Sequence, residues 1–437
     1  MSTTKFDADV IIIGGGFAGI TAGRELSNKG HKVVILEAKD RLGGRTWFRQ
    51  SSLGRKLEFG GTWVHWIQPH VWAEIVRYDL TLTHSPVPAK AIWSDSGGLE
   101  VLEPDALFGM LDTGLAQMDT EARIAFPNPH DFDANSPEVL KHESMSVEQK
   151  ITELGLPPKE THMLLSMMAL NFNGDPGQGA YTQQLRWSAL CGGNWKLLFE
   201  ACAYYKFLEG TKSLIDAIQS DSQANVRLEC IVSKIRQEVG GVILTTSTGE
   251  CLRARQVIVA TPLNTLRNID FSPALEPALA QVSKQKHAAL GVKIWIRVQG
   301  RLDTLAALAS SDRALNFMQV EYEHEGDTLI VAFGPRVNAL DLTDRLAVEY
   351  NIRQWLPDAQ VVGVDAHDWT NDPYSGGTWP MLRPHQLQVV QQAATASYGR
   401  VQFCGSDFAQ GWAGFIDGAI ESGKRVGCRV SVRLRQE

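Results

Sequence analysis

The stretch from Val10 to Glu37 limits this chain more than any other. Val10-Ile11-Ile12-Ile13 is an unbroken apolar, β-branched run, the pattern of a strand buried on both faces of a parallel sheet. Gly14-Gly15-Gly16-Phe17-Ala18-Gly19 follows at once, a complete GxGxxG. A helix is expected from Ile20 to Asn28, stopping at Gly30. Val33-Val34-Ile35-Leu36 reads as a second buried strand, closed by Glu37. Each residue type has a task. Gly14 permits the tight turn, Gly16 lets the backbone approach a pyrophosphate, and Gly19 lets helix and strand pack closely. The helix N-terminus turns unpaired N–H groups toward phosphate, and Phe17 and Ala18, in the loop leading into it, are expected at the cofactor. Glu37, followed by Ala38, accepts hydrogen bonds from ribose hydroxyls. A lone GxGxxG is weak evidence, but one set between two strands with an acid at the second strand's end points to a bound adenine dinucleotide. FAD and NAD both remain open at this point.

A chain of 437 residues is expected to form two or three domains. With 44% apolar and 21% charged residues and a net charge of −7, it reads as an ordinary globular protein without electrostatic support for nucleic-acid binding. Its six cysteines form no CxxC pair and no zinc spacing with histidine, so no metal is expected and the thiols suit a reducing compartment. The chain opens MSTTKFDAD and passes directly into a strand, so no secretory leader is expected. No apolar run approaches the roughly 20 residues that span a bilayer. No membrane association is expected, and the cytoplasm is the default location.

The next segments separate the two dinucleotides. Asp40-Arg41-Leu42-Gly43-Gly44-Arg45 sets two arginines around a glycine pair, suited to a second face of a pyrophosphate. Gly60-Gly61-Thr62-Trp63-Val64-His65 follows. From Val10 to His65 the chain resembles the flavin amine oxidase (monoamine oxidase) family. The C-terminus agrees: Gly405-Ser406-Asp407 after the apolar strand Val401 to Cys404, then Trp412-Ala413-Gly414-Phe415-Ile416-Asp417-Gly418-Ala419-Ile420, is similar to that family's second FAD motif. Weaker matches lie between, at Val232-Ser233-Lys234-Ile235, Val257 to Pro262, Ile269 to Pro273 and Gly291-Val292-Lys293-Ile294.

The resemblance implies FAD. It puts Gly60, Gly61, Thr62 and Trp63 along the flavin and Val232 at the adenine. Gly405 and Asp407 would lie at the ribityl or phosphate region, and the Ile416 N–H at the flavin O2 edge, where a helix start stabilises negative charge. The implied fold is α/β. A Rossmann-like FAD-binding domain is assembled from 1–80, 205–285 and 388–437, and a mixed α+β substrate-binding domain from 81–204 and 286–387. The first substrate segment is expected to be mostly helical, as in His162 to Phe172 and Gln184 to Leu190. The second carries strands such as Val292 to Val298 and Thr328 to Phe333.

An enzyme of this family moves hydride from the carbon beside a nitrogen to flavin N5, and needs no acid–base dyad from the protein. Tyr374-Ser375-Gly376-Gly377-Thr378-Trp379 resembles the segment that supplies one wall of its aromatic cage. Trp379 and Phe415 are the expected walls. Thr378 replaces the cysteine that binds flavin covalently in some members, which implies non-covalent FAD. Lys293 falls where the family holds a water at N5; a surface lysine is the bland alternative. Trp369 is expected to stack near the flavin.

The substrate reading rests on Ala169-Leu170-Asn171-Phe172-Asn173-Gly174 and Glu209-Gly210-Thr211, which resemble bacterial 6-hydroxynicotine oxidases. Asn171 would then hydrogen-bond a hydroxypyridine; otherwise it caps or bends a helix. Phe317-Met318-Gln319 does not match that comparison. The expected partners are a small amine, (S)-6-hydroxynicotine first, and O2, with a homodimer left open. Another amine oxidase (for a polyamine or a primary monoamine), a flavin amine dehydrogenase with a protein electron acceptor, or a flavoprotein serving only as a binding or structural module are the alternatives.

Overall fold

The computed structural model describes residues 6–436. Its first sheet has a parallel centre. The strand Ala8–Ile13 lies between Val33–Leu36 and Cys251–Val259. Val10 pairs with Val33 and Ile13 with Leu36 on one side, and Ile11 with Val257 and Ile13 with Val259 on the other. These Val and Ile side chains are fully or nearly fully buried, as expected of strands covered on both faces.

Cys251–Val259 changes partner half-way along. Its first half pairs antiparallel with Gly241–Thr246, which continues to Val232–Glu238. Its second half pairs parallel with Val401–Phe403. The carboxyl ends of the parallel strands therefore share one edge with the start of the C-terminal motif. Ligands bind at that edge in open α/β sheets.

The helix after the glycine loop spans Phe17–Ser27, beginning earlier than the Ile20 expected from the sequence. Gly16 is extended and caps the helix, so the chain turns helical at once. This helix packs on the long C-terminal helix Ile416–Gln436. A Cβ on Gly423 would stand 2.4 Å from the Ala18 carbonyl oxygen. Glycine there lets the two terminal motifs, far apart in sequence, sit against each other.

The second sheet has seven strands, in the order Val361–Ala366, Val292–Val298, Asp327–Gly334, Phe317–His324, Leu305–Ala309, Lys90–Asp95, Gly98–Leu102. Only Lys90–Asp95 and Leu305–Ala309 run parallel. Alternation in Val292–Val298 divides two cores. Val292, Ile294, Ile296 and Val298 face Val348, Ile352 and Trp355. Trp295 packs on the other side with Leu57, Phe59, Val331 and Phe333, and Lys293 shares that side by its period. Lys293 is thereby aimed at the segment that follows the glycine loop.

The stretch between the sheets is mostly helical, with Pro104–Asp119, Pro158–Phe172, Tyr181–Leu190 and Trp195–Ala203 its longest helices. Strands of the first sheet come from 8–36, 225–272 and 401–403, and those of the second from 90–102 and 292–366. A small sheet joins Trp63–Val64 and Leu82–His84 to Tyr205–Phe207, lacing chain segments that the sequence analysis had divided. All six cysteines are free thiols. Among the described residues no helix is long and apolar enough to cross a membrane.

Candidate active site

One large cavity, about 1240 Å³, lies between the two sheets. It exceeds the roughly 300–1,000 Å³ of a drug-sized pocket, as a dinucleotide together with a substrate requires. At one end its wall is backbone: Gly14, Gly16, Gly43 and Gly44, with Phe17 and Ala18 at the helix start. Gly14 has φ +105°, and a Cβ on Gly19 would come within 1.9 Å of the Gly14 carbonyl oxygen. Gly19 therefore lies behind the wall, holding the turn against the helix.

Glu37 and Ala38 line the same end, as does Val232. The Glu37 carboxylate accepts the Gly15 N–H at 2.6 Å and the Lys39 N–H at 2.9 Å. Burial pushes this carboxyl up, and those backbone donors resist the shift. The carboxylate is thus fixed by the loop itself and retains lone pairs for a diol. Glycine cradle, helix start and fixed acid together fit an adenine dinucleotide.

Arg45 joins three motifs. Its guanidinium donates to the Thr378 carbonyl at 2.8 Å, to Ser406 Oγ at 2.9 Å and to the Asp407 carboxylate. Arg45, Thr378, Gly405 and Ile416 are all on the cavity wall, whereas Asp407 is not. Asp407 stands behind Arg45 and also accepts the Leu263 N–H at 2.9 Å. Burial would raise its carboxyl, but Arg45 and the other partners hold it below the ordinary carboxylate range. Arg41 turns away as well, donating to the carbonyls of Leu42, Gly44 and Thr46. These acceptors are main-chain carbonyls one to five residues on, a group every residue carries, so side-chain types alone do not reveal this loop role.

The other end is built from side chains. Lys293 is buried and donates to the Gly60 carbonyl at 2.8 Å and to Thr62 Oγ1 at 2.7 Å. Burial pulls its ammonium down to about 8, against the opposing pull of Glu58. Gly60, Gly61, Thr62 and Trp63 line the cavity beside it. Trp369, also on the wall, donates to the Phe59 carbonyl at 2.8 Å.

Trp379 and Phe415 both face this cavity. The Trp379 indole donates to the Asn171 carbonyl at 2.9 Å and meets Phe333 edge-on at 6.3 Å between centroids. Phe415 is braced by Trp187 and Trp412, each at 5.0 Å. Asn171 lies near the end of the helix Pro158–Phe172 and lines the cavity, and its side chain makes no hydrogen bond among the described residues. The helix cap falls instead to Asn173, in the left-handed conformation at φ 44°.

Two wall residues, Phe333 and Trp187, carry no signal in the sequence, because a buried aromatic on a strand or helix looks like any other core residue. Phe317 and Gln319, in the stretch that departs from the 6-hydroxynicotine oxidase comparison, line the cavity as well. Glu58 is buried behind Lys293 and accepts the Trp47 N–H at 2.6 Å and the Thr211 hydroxyl. Thr211 thus braces an acid at the site's back rather than reaching the cavity.

Known proteins resemble this chain along nearly its whole length. The model of the family "Flavin containing amine oxidoreductase" matches residues 17–431. The chain belongs to that family. It is 36% identical to a pseudooxynicotine dehydrogenase of Pseudomonas sp. over 99% of this chain and 88% of the relative. It is 35% identical to a nicotine dehydrogenase of Pseudomonas putida, covering 99% and 90%. It is 31% identical to the (S)-6-hydroxynicotine oxidase of Paenarthrobacter nicotinovorans, covering 98% and 99%. A putrescine oxidase structure superposes with a TM-score of 0.85 at 19% identity, covering 98% of this chain and 99% of the other, which supports the fold. The protein is a flavin-dependent amine oxidoreductase, and its cofactor is FAD.

Proposed function

We propose that this flavoenzyme oxidises a pyridine-bearing amine of the nicotine series, with (S)-6-hydroxynicotine as substrate. The C–N bond of the pyrrolidine ring is oxidised, and hydrolysis yields 6-hydroxypseudooxynicotine. FAD, when bound, would supply the hydride acceptor, with O2 as the terminal oxidant reduced to H2O2. The observation that carries this reading is that Trp379, Phe415, Lys293 and Asn171 line one continuous cavity with the glycine cradle.

The protein's own groups do the positioning. Trp379 and Phe415 flank the amine and align its lone pair. Lys293, tied to Gly60 and Thr62 through two of its hydrogens, offers the remaining valence to a water beside the reacting carbon. The Asn171 amide, without a partner among the described residues, hydrogen-bonds the hydroxypyridine. Thr378 has no sulfur for a thioether, so FAD is held without a covalent bond. Acid precipitation should leave all the flavin in the supernatant, and a yellow pellet would refute that point.

Competing substrates meet obstacles. A polyamine needs carboxylates along its path; the second sheet's strands give the cavity none, and Asp105, Asp112 and Glu200 on its wall come from the helical stretch, away from the Lys293 side. An amino acid needs a free arginine for its carboxylate, and Arg45, the arginine on the wall among the described residues, is already committed. Anaerobic mixing with (S)-6-hydroxynicotine, (S)-nicotine, pseudooxynicotine, spermine and benzylamine tests the choice. Bleaching of the flavin should be fastest with the first.

A second reading concerns the electron acceptor. Two of the relatives are named dehydrogenases, which favours transfer to a protein carrier. Reoxidation of the reduced enzyme in air separates the readings: seconds indicate an oxidase, many minutes a dehydrogenase.

A further inference from the structure

Gln319 lines the cavity on the strand Phe317–His324. Behind it lies a buried polar network that makes no hydrogen bond to Lys293 among the described residues, although its two charges, Glu321 and Lys206, act on that ammonium through space. Lys206 and Glu321 form an ion pair with side chains 5% and 1% exposed. The same Glu321 carboxylate accepts the Ser85 hydroxyl at 2.9 Å, and Ser85 accepts the Trp63 indole N–H at 3.0 Å. It also accepts the Gln319 side-chain amide N–H.

This last contact fixes more than a position. A carboxylate in an ion pair has only lone pairs to offer, so Gln319 must turn its NH2 toward Glu321. That orientation follows from the partners' chemistry, which is how an amide's two ends are told apart. The amide oxygen takes no hydrogen bond among the described residues and is what Gln319 presents to the cavity. Turning it over would set two acceptors against each other in a buried site and leave the network unsatisfied.

The sheet register separates this acceptor from the reacting end. Lys293, Phe333 and Phe317 share one rung, whereas Trp295, Val331 and Gln319 share another two residues along. Two strand spacings and two residues put the Gln319 backbone about 12 Å from that of Lys293. The two side chains therefore act on opposite ends of a substrate.

We infer that Gln319 is a specificity-determining hydrogen-bond acceptor, locked by Glu321 and Lys206, that selects a substrate whose remote ring carries an N–H or O–H donor. A hydroxypyridine or pyridone satisfies it; an unsubstituted pyridine, which has only a lone pair, meets it with repulsion. The inference deepens the reading of this cavity as a site for pyridine-bearing amines, and rests on it. Asn171 differs in this respect, because its unpartnered amide can turn to suit either ring.

The test needs no turnover. FAD-loaded enzyme is titrated with 2-pyridone, a ring with an N–H donor, and with pyridine, following the perturbation of the flavin spectrum. Wild type should hold 2-pyridone about ten-fold more tightly than pyridine. Gln319→Met should bring the two within about two-fold of each other. Glu321→Gln removes the acceptor-only partner, so the Gln319 amide can turn, and the preference should fall or pass to pyridine. A merely structural Glu321 would weaken both rings alike. Should Gln319→Met fail to load FAD, Glu321→Gln carries the comparison. The inference is overturned if wild type shows no preference, if neither ring binds at millimolar concentration, or if Gln319→Met keeps the preference. Failure of the proposed function is read separately, by whether any pyridine-bearing amine bleaches the flavin.

Discussion

The two ends of the cavity are made differently. The end at Gly14, Gly16 and Glu37 is built from backbone within one short stretch of chain, and its geometry depends on the absence of side chains. The end at Lys293, Trp379 and Phe415 is built from side chains that meet only after both sheets have formed. The first end therefore tolerates almost no added atom, whereas the second tolerates change at the cost of rate or selectivity. Substitutions at each end should differ in kind as well as in size.

The largest effect is expected at the backbone end. Gly19→Val places a branched carbon against the Gly14 carbonyl, where even a Cβ would stand at 1.9 Å. Backbone must shift, at about 3 kcal/mol or more, and the purified protein should carry almost no FAD by its absorbance ratio. Retention of a full complement of FAD would break the contrast. At the side-chain end, Lys293→Met should keep FAD but slow turnover by about a hundred-fold. Wild-type turnover should rise as pH passes about 8, where the buried ammonium loses its proton, and the difference between wild type and variant should vanish below that pH.

Asp407 joins the two ends and should show an intermediate effect. Asp407→Asn leaves Arg45 without its anionic partner and should cost about 2 kcal/mol of stability, measured by denaturant unfolding of the FAD-loaded protein. The sign follows from its depressed carboxyl. Its contribution is complete above the ordinary carboxylate range and is lost as pH falls through the lower folded value, so the variant should be less acid-sensitive than wild type. The smallest effect is expected at Trp379→Leu, about ten-fold in KM through the lost ring face, with FAD content unchanged.

Legibility in the sequence followed the same division. The glycine loop and Glu37 form one contiguous stretch whose spacing is itself the geometry, whereas the Thr378–Trp379 segment is legible only through its resemblance to the family. Asp407 was visible as part of a motif, yet its place behind Arg45 depends on a third segment, at Leu263, folding beside it. Gln319 and Glu321 sit two residues apart on a strand, an unremarkable alternation until Lys206 and Ser85 arrive from elsewhere in the chain. The start of the first helix was misplaced because the extended Gly16 already serves as its cap. Element types survived such errors because hydrophobic period decides them, whereas polar networks are decided by tertiary contact.

Anaerobic stopped-flow reduction by (S)-6-hydroxynicotine tests the central claim most directly, because it requires the backbone end to hold FAD and the side-chain end to present the amine to it. The expected result is rapid, saturable bleaching of the flavin, faster than with spermine or benzylamine. Bleaching by one of those two amines, with none by any pyridine-bearing amine, would contradict it.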